Sequence, residues 1–318
     1  MTSLGYFLSC EESDPDELVR QAVRAESAGF ERLWISDHFH PWNDKQGQSP
    51  FVWSVIGALS QACSLPITTA VTCPIMRIHP ALVAQAAATS AAQLNGRFVL
   101  GLGTGEALNE HITGQHWPPA AIRREMLGEA VDIIRKLFTG KKVNHRGRHC
   151  TVENARIYTL PEKPVPIYIS AFGPRSARLA RRIGDGYQGI MPSRELLSEF
   201  RGAGGAGKPC QGGFKVCHAP TTEEGVRTAY DLWPNDQLPG QLSQTLPTPQ
   251  EFEQASSLVT RAAVEEALPC GPDPKPYIER IRAFIDAGYG EVYTQQIGSE
   301  KDCFFDFWQS GIAPEFAA

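Results

Sequence analysis

Residues 166–190, PIYISAFGPRSARLARRIGDGYQGI, carry one complete unit of the architecture. Pro166–Ser170 is a short apolar run; Pro174 then opens a helical pattern that Gly184 closes, and a second short run follows over Gly186–Ile190. Proline suits the first turn of a helix, where its missing N–H has no partner in any case, and glycine suits the stop. Strand, helix and strand in that order read as a βα unit of a parallel sheet.

The same unit recurs outward in both directions. Gly5–Leu8, Arg32–Ser36, Thr68–Thr72, Phe98–Leu102, Phe214–Cys217 and Glu291–Gln295 complete a set of eight candidate strands. Between them Ser13 is expected to cap a helix reaching Gly29, and Pro80 to open one that stops near Gly96. Eight such units close most naturally into a (β/α)8 TIM barrel, an α/β fold. An open doubly wound sheet would place a phosphate-binding glycine motif after its first strand, and Leu8-Ser9-Cys10-Glu11 is not one. A length of 318 residues suits one barrel or two average domains; the repeat favours a single barrel domain over 1–318.

Two stretches interrupt the repeat. Lys141–Tyr158 reads as a hairpin inserted before the fifth barrel strand, and Trp233–Cys270, rich in Pro and Gln before turning helical, reads as an ordered excursion near the barrel mouth. Gly202–Gly212 (GAGGAGKPCQG) reads as a flexible loop.

Composition narrows the function. A net charge of −5 with pI near 5.9 disfavours a nucleic-acid partner, and Arg175, Arg178, Arg181 and Arg182 have the spacing of a solvated helix face. The eight cysteines show no CxxC pair and read as reduced thiols. The opening segment up to Leu8 is too short and uncharged for a signal peptide, and no run of about 18 apolar residues occurs. The expectation is a cytoplasmic enzyme of small molecules, with no membrane partner.

In such a barrel the reactive groups sit just past the carboxyl ends of the strands. The second strand ends in Ser36-Asp37-His38-Phe39-His40-Pro41-Trp42, a carboxylate, two imidazoles and an indole at one rim. A neutral histidine beside a carboxylate is a tunable base near neutral pH, and either His38 or His40 suits that role. His-x-His at a strand end also opens many metal sites. Those need ligands on later strands, where Ser170-Ala171-Phe172-Gly173 and Gln295-Gln296-Ile297-Gly298 offer none and His218 stands alone, so no metal is expected. The fourth strand runs into Gly103-Thr104-Gly105-Glu106-Ala107-Leu108-Asn109-Glu110, whose glycines suit either a flat ligand or tight turns. Glu106 there is a carboxylate able to move the proton that accompanies hydride transfer. After the fifth strand, Ala171-Phe172-Gly173-Pro174 leads into a helix start that suits an anion or a plain turn.

Together SDHFHPW (36–42), GTGEALNE (103–110) and SAFGP (170–174) resemble the coenzyme F420-dependent branch of the luciferase-like superfamily, closest to the group related to glucose-6-phosphate dehydrogenase. The likeness spans essentially the whole chain. It implies an oxidoreductase that exchanges hydride between a hydroxyl or carbonyl substrate, sugars and sugar phosphates included, and F420; the alternative is an FMN-dependent monooxygenase. It implies that Asp37 touches the deazaflavin, that His38 handles the proton beside the substrate hydroxyl, and that Trp42 and Glu106 line the same pocket, Glu106 as the acid near the ring. It gives Cys73, Asn109, Ala171, Phe172 and Gly173 to the cofactor, and Glu11, with His40 and Arg194, to the substrate side. It places a non-prolyl cis peptide under the ring at Ala70–Val71, and it implies a homodimer. The sugar-phosphate enzymes hold phosphate with basic residues where this chain reads Ile190-Met191-Pro192-Ser193-Arg194 and Glu265-Glu266-Ala267-Leu268. Glucose 6-phosphate is therefore not the expected substrate, although Arg194 is a partial substitute.

Overall fold

The computed structural model describes residues 2–317. Its strands are β1 (Ser3–Leu8), β2 (Arg32–Ile35), β3 (Ile67–Thr69), β4 (Phe98–Leu102), β5 (Val143–Arg146), β6 (Thr151–Ala155), β7 (Ile167–Ser170), β8 (Gly186–Gly189), β9 (Cys210–Val216) and β10 (Glu291–Gln296). Eight of them close a barrel in the order β1-β10-β9-β8-β7-β4-β3-β2, while β5 and β6 form a separate antiparallel pair. The barrel pairs are parallel, with Gly5 opposite Arg32 on one side of β1 and Ser3 opposite Glu291 on the other. The expected (β/α)8 barrel, its inserted hairpin and its excursion are all present.

Strand alternation sends every second side chain into the barrel. Trp34 stacks on Tyr293 with ring centroids 4.4 Å apart, and Phe7 meets Trp34 edge-on. Polar interior groups find partners, as buried ones must: Gln211 accepts from Trp34 Nε1 at 2.9 Å and from Gln188 Nε2 at 3.1 Å, and donates to Glu291 at 2.7 Å. This packed floor leaves the mouth above it as the place for a ligand. The opposite faces of the strands bury apolar helix stripes such as Leu18, Ala22 and Ala25 on Pro15–Ser27, and Ile281 and Phe284 on Lys275–Ala287.

The excursion holds a 3-10 turn at Pro234–Gln237 and helices Leu242–Thr245, Pro249–Ser256 and Arg261–Ala267. They build a second small core from Trp233, Leu238, Phe252, Val259 and Val264 against Leu108 and Ile297. Polar pins hold it to the barrel: Trp233 Nε1 donates to Glu12 at 2.6 Å, and Lys215 pairs with Asp236 at 2.7 Å while lying over the Trp233 ring.

Some local expectations are corrected. The first helix is capped by Asp14, which accepts from the Glu17 amide at 2.9 Å; Ser13 instead accepts from Gln21. β3 stops at Thr69, and pairing resumes only as the isolated bridge Thr72–Leu102. Gly202–Gly212 is not one loop. Its start, Gly202–Gly204, is a non-helical break inside Arg194–Gly205, and its end lies in β9, which begins at Cys210. Glycines 212 and 213 lie inside β9 because aromatic rings fill the space of their side chains: a Cβ on Gly213 would sit 2.5 Å from Trp34, and one on Gly212 2.4 Å from Phe284.

Candidate active site

The tips of β1 and β2 bring an acid and an imidazole together. Glu11, buried just past β1, accepts from Ser9 Oγ at 2.7 Å and Ser36 Oγ at 2.8 Å through Oε2. Its other oxygen, Oε1, faces His38 Nε2 at 3.5 Å. The hydroxyls hold the carboxylate so that its free oxygen points at the ring.

The far side of that ring is braced from β4. Asn109 lies in the short helix Ala107–Glu110, where its Oδ1 accepts from the amides of Phe39 at 2.8 Å and His40 at 3.2 Å. Its Nδ2 then meets His38 Nδ1 at 3.1 Å, and the His40 carbonyl stands 3.2 Å from the same nitrogen. A donor and an acceptor at one ring nitrogen satisfy either neutral tautomer and the imidazolium. The His40 ring turns away, its Nδ1 donating to Leu108 O at 2.9 Å. Trp42 stands 5.1 Å from His38 and edge-on to Phe252 at 5.0 Å, so the excursion backs the wall beside the base.

Asp37 is spoken for within the protein. Thr72 Oγ1 donates to its Oδ2 at 2.7 Å and Arg77 Nη2 to its Oδ1 at 2.7 Å. Arg77 also reaches Glu110, whose Oε2 accepts the Arg77 amide at 2.8 Å and whose Oε1 lies 3.6 Å from Arg77 Nε. Glu110 is fully buried, and desolvation pushes its carboxyl up to about 7 against the pull of Arg77. Glu106, at the head of the same helix, is partly exposed, and its carboxylate accepts no hydrogen bond among the described residues. Among the carboxylates at this rim it is the one free to meet a ligand.

The remaining tips form an open shelf. The Ala70–Val71 bond is cis, as the resemblance implied, and Cys73 follows it, buried. Gly103 and Gly105 are explained by the protein itself, since added Cβ atoms would lie 2.5 Å from Val71 and from Cys73. Past β7, Ala171 is buried, with its carbonyl accepting from Tyr187 OH, whereas Phe172 is half exposed. Gly173 heads the helix Pro174–Ile183 with no side-chain cap, and a Cβ there would meet nothing within 4 Å. Open space in front of free helix amides fits the anionic arm of a cofactor, and Glu106 fits the edge of a flat ring nearby. Past β8, Ile190 and Met191 are exposed, and Arg194, also exposed, makes no ion pair among the described residues.

Thus Glu11, His38, Trp42, Asp37 and Asn109 are connected by direct contacts or through one shared neighbour, Glu106 stands at the head of the Asn109 helix, and Arg194 is on the outer rim. Sequence reading missed Arg77 and Phe252, and it gave no role to Glu110. The signal for Glu110 was present as an acid one helical step beyond Asn109; nothing marked Arg77. Two surface clefts, of 270 and 340 Å³, lie elsewhere, and neither is lined by His38, Glu106 or Asn109.

Residues 2–291 match the family described as Luciferase-like monooxygenase. The F420-dependent glucose-6-phosphate dehydrogenase of Nocardia farcinica is 33% identical, over 99% of this chain and 98% of its own length. The F420-dependent hydroxymycolic acid dehydrogenase of Mycobacterium tuberculosis is 34% identical, over 98% and 88%. A solved F420-dependent secondary alcohol dehydrogenase, in complex with an F420-acetone adduct, superposes with a TM-score of 0.89 at 32% identity, covering 98% of each chain.

Proposed function

The chain belongs to the luciferase-like family, and from that membership and the rim geometry we propose an F420-dependent oxidoreductase that moves hydride between an uncharged alcohol or its carbonyl and the cofactor. The deazaflavin, when bound, supplies the two-electron hydride acceptor. The observation that carries the reading is the His38 environment: Nε2 faces Glu11 at 3.5 Å, and Nδ1 is braced by Asn109 at 3.1 Å and the His40 carbonyl at 3.2 Å.

In alcohol oxidation His38 accepts the hydroxyl proton at Nε2. The imidazolium so formed has acceptors on both sides, the Glu11 carboxylate and the His40 carbonyl, which lowers the cost of the charge. Trp42, backed by Phe252, walls the base from water. Glu106 holds or releases the proton that balances charge at the ring edge, and the turn Ala171–Gly173 holds the cofactor, while Asp37, Cys73 and Asn109, buried or engaged within the protein, act indirectly by shaping the shelf and the 36–42 loop. For reduction the same groups run in reverse.

The uncharged substrate is inferred from the surroundings of β8 and β9. Ile190 and Met191 present apolar surface, and Lys215 on β9 is neutralised by Asp236. Arg194 remains a candidate at the rim, but one exposed guanidinium is weak support for a phosphate. His40 joins the substrate side only by backbone position, its ring being engaged. An FMN monooxygenase is less supported: the monooxygenases among the structures, one of them in complex with FMN, resemble this chain at 14–17% identity, which speaks for the fold alone.

We further place the whole of residues 1–318 in one barrel domain acting as a cytoplasmic homodimer. Seven buried, unpaired thiols suit a reducing compartment, and no helix of the described residues is long and apolar enough to cross a membrane. Phe51 and Leu82, exposed on or beside neighbouring outer helices, are apolar surface that a second copy would cover.

The test is an anaerobic assay following loss of deazaflavin absorbance with 2-octanol, 2-propanol and glucose 6-phosphate. A secondary alcohol should exceed glucose 6-phosphate in kcat/KM by about 100-fold or more. The reverse order would overturn the substrate assignment.

A further inference from the structure

Asp37, Arg77 and Glu110 come from three separate strand-end segments and meet with almost no access to solvent: their side chains are 1%, 6% and 0% exposed. One guanidinium serves two carboxylates. Its Nη2 is 2.7 Å from Asp37 Oδ1, and its Nε is 3.6 Å from Glu110 Oε1, with both of the latter atoms lacking a hydrogen-bond partner. A structural role alone explains this poorly, because apolar residues of similar size usually stabilise a buried site as well or better, and a second acid on one cation leaves uncompensated charge. The location supplies a reason. Asp37 is followed directly by His38, and Glu110 directly follows Asn109 and shares its short helix with the Glu106 cap. Arg77 thereby ties the loop bearing the base to the turn bearing the free acid.

We propose that Glu110 is a positioning residue for Asp37, acting through Arg77, and that this cluster sets how tightly the rim holds F420; the proposal rests on the cofactor assignment above. The charged and titratable groups facing Glu110 are Arg77 from the loop after β3, Asp37 from the β2 tip, Cys73 from the β3 tip and Glu106 from its own turn, with Arg123 beyond Glu106 and Cys73. With Glu110 protonated, the cluster is neutral and the Arg77 charge belongs to Asp37. With Glu110 ionised, the cluster carries one negative charge and Arg77 is divided. F420 is itself anionic through its phosphodiester and carboxylates, so its affinity falls as Glu110 loses its proton. Burial raises the Glu110 carboxyl to about 7, which puts that change in the neutral range.

The experiment is a fluorescence titration of the full chain with F420 at pH 6 and pH 8. Wild type should bind about fivefold more weakly at pH 8. Glu110→Gln should match wild type at pH 6 and change by less than about twofold, and Glu110→Ala should bind about tenfold more weakly at both values. His38→Ala should keep the wild-type pH step, which separates this cluster from the base. Circular dichroism checks folding, and if Glu110→Ala does not fold, the pH response of Glu110→Gln decides. A Glu110→Gln protein that keeps the wild-type step, or a folded Glu110→Ala protein that binds like wild type, overturns the proposal. If wild type binds no F420 at any pH, the cofactor assignment fails first and takes this proposal with it.

Discussion

Asn109 Nδ2 stands 3.1 Å from His38 Nδ1, and the amide cannot be reversed without losing the two backbone N–H groups, of Phe39 and His40, that its Oδ1 accepts. The orientation of this side chain is therefore fixed by the loop that carries the histidine. His38 Nδ1 also faces the His40 carbonyl, which takes the Nδ1 proton of the neutral base and leaves Nε2 free to accept one.

Asn109→Asp keeps both backbone contacts but replaces the donor with an acceptor. The carboxylate should hold the His38 proton on Nδ1, read from ¹⁵N shifts of labelled histidine, and kcat should fall by about tenfold or less with little change in F420 affinity. A neutral wild-type ring protonated at Nε2 instead would contradict the assignment.

Removing the base should separate chemistry from binding. His38→Ala is expected to lose roughly 10² to 10⁴-fold in kcat, while F420 affinity stays within about twofold, because no cofactor contact is assigned to the imidazole. Single-turnover hydride transfer and a fluorescence titration check the two halves.

Glu110 links pH to stability. Its folded carboxyl holds a proton up to about 7, above the ordinary value of 4.5, so the folded state binds that proton more tightly. The contribution is complete below about 4.5 and is lost as pH rises through 7, an effect on the order of 3 kcal/mol. Urea midpoints at pH 5 and 8 should fall with pH in wild type, and Glu110→Gln should flatten that fall.

Gly213→Ala tests the barrel floor. The new Cβ would lie 2.5 Å from the Trp34 ring, which is stacked on Tyr293, so the pair must shift. A loss of about 1–3 kcal/mol is expected from urea unfolding.

These residues also show what the sequence made legible. The barrel was readable because Pro174 and Gly184 punctuate a helix between two apolar runs, and the same chemistry recurs along the chain. The SDHFHPW rim was readable because strand ends are where this fold displays side chains. Gly212 misled, since a glycine that yields space to Phe284 looks in sequence like one that loosens a loop. The Ser13 cap failed by one residue, two good capping residues being adjacent. The Arg77 cluster was invisible because its partners are 40 and 33 residues away and no local period links them. Only the closed barrel brings them together.

The central claim is that side chains from distant strand tips form one seat for a deazaflavin. Its most direct test is a side-by-side equilibrium titration of the purified chain with F420 and FMN. The prediction is saturable F420 binding with a Kd of about 1 μM or below, and FMN at least about tenfold weaker. Tight FMN binding with no measurable affinity for F420 would contradict it.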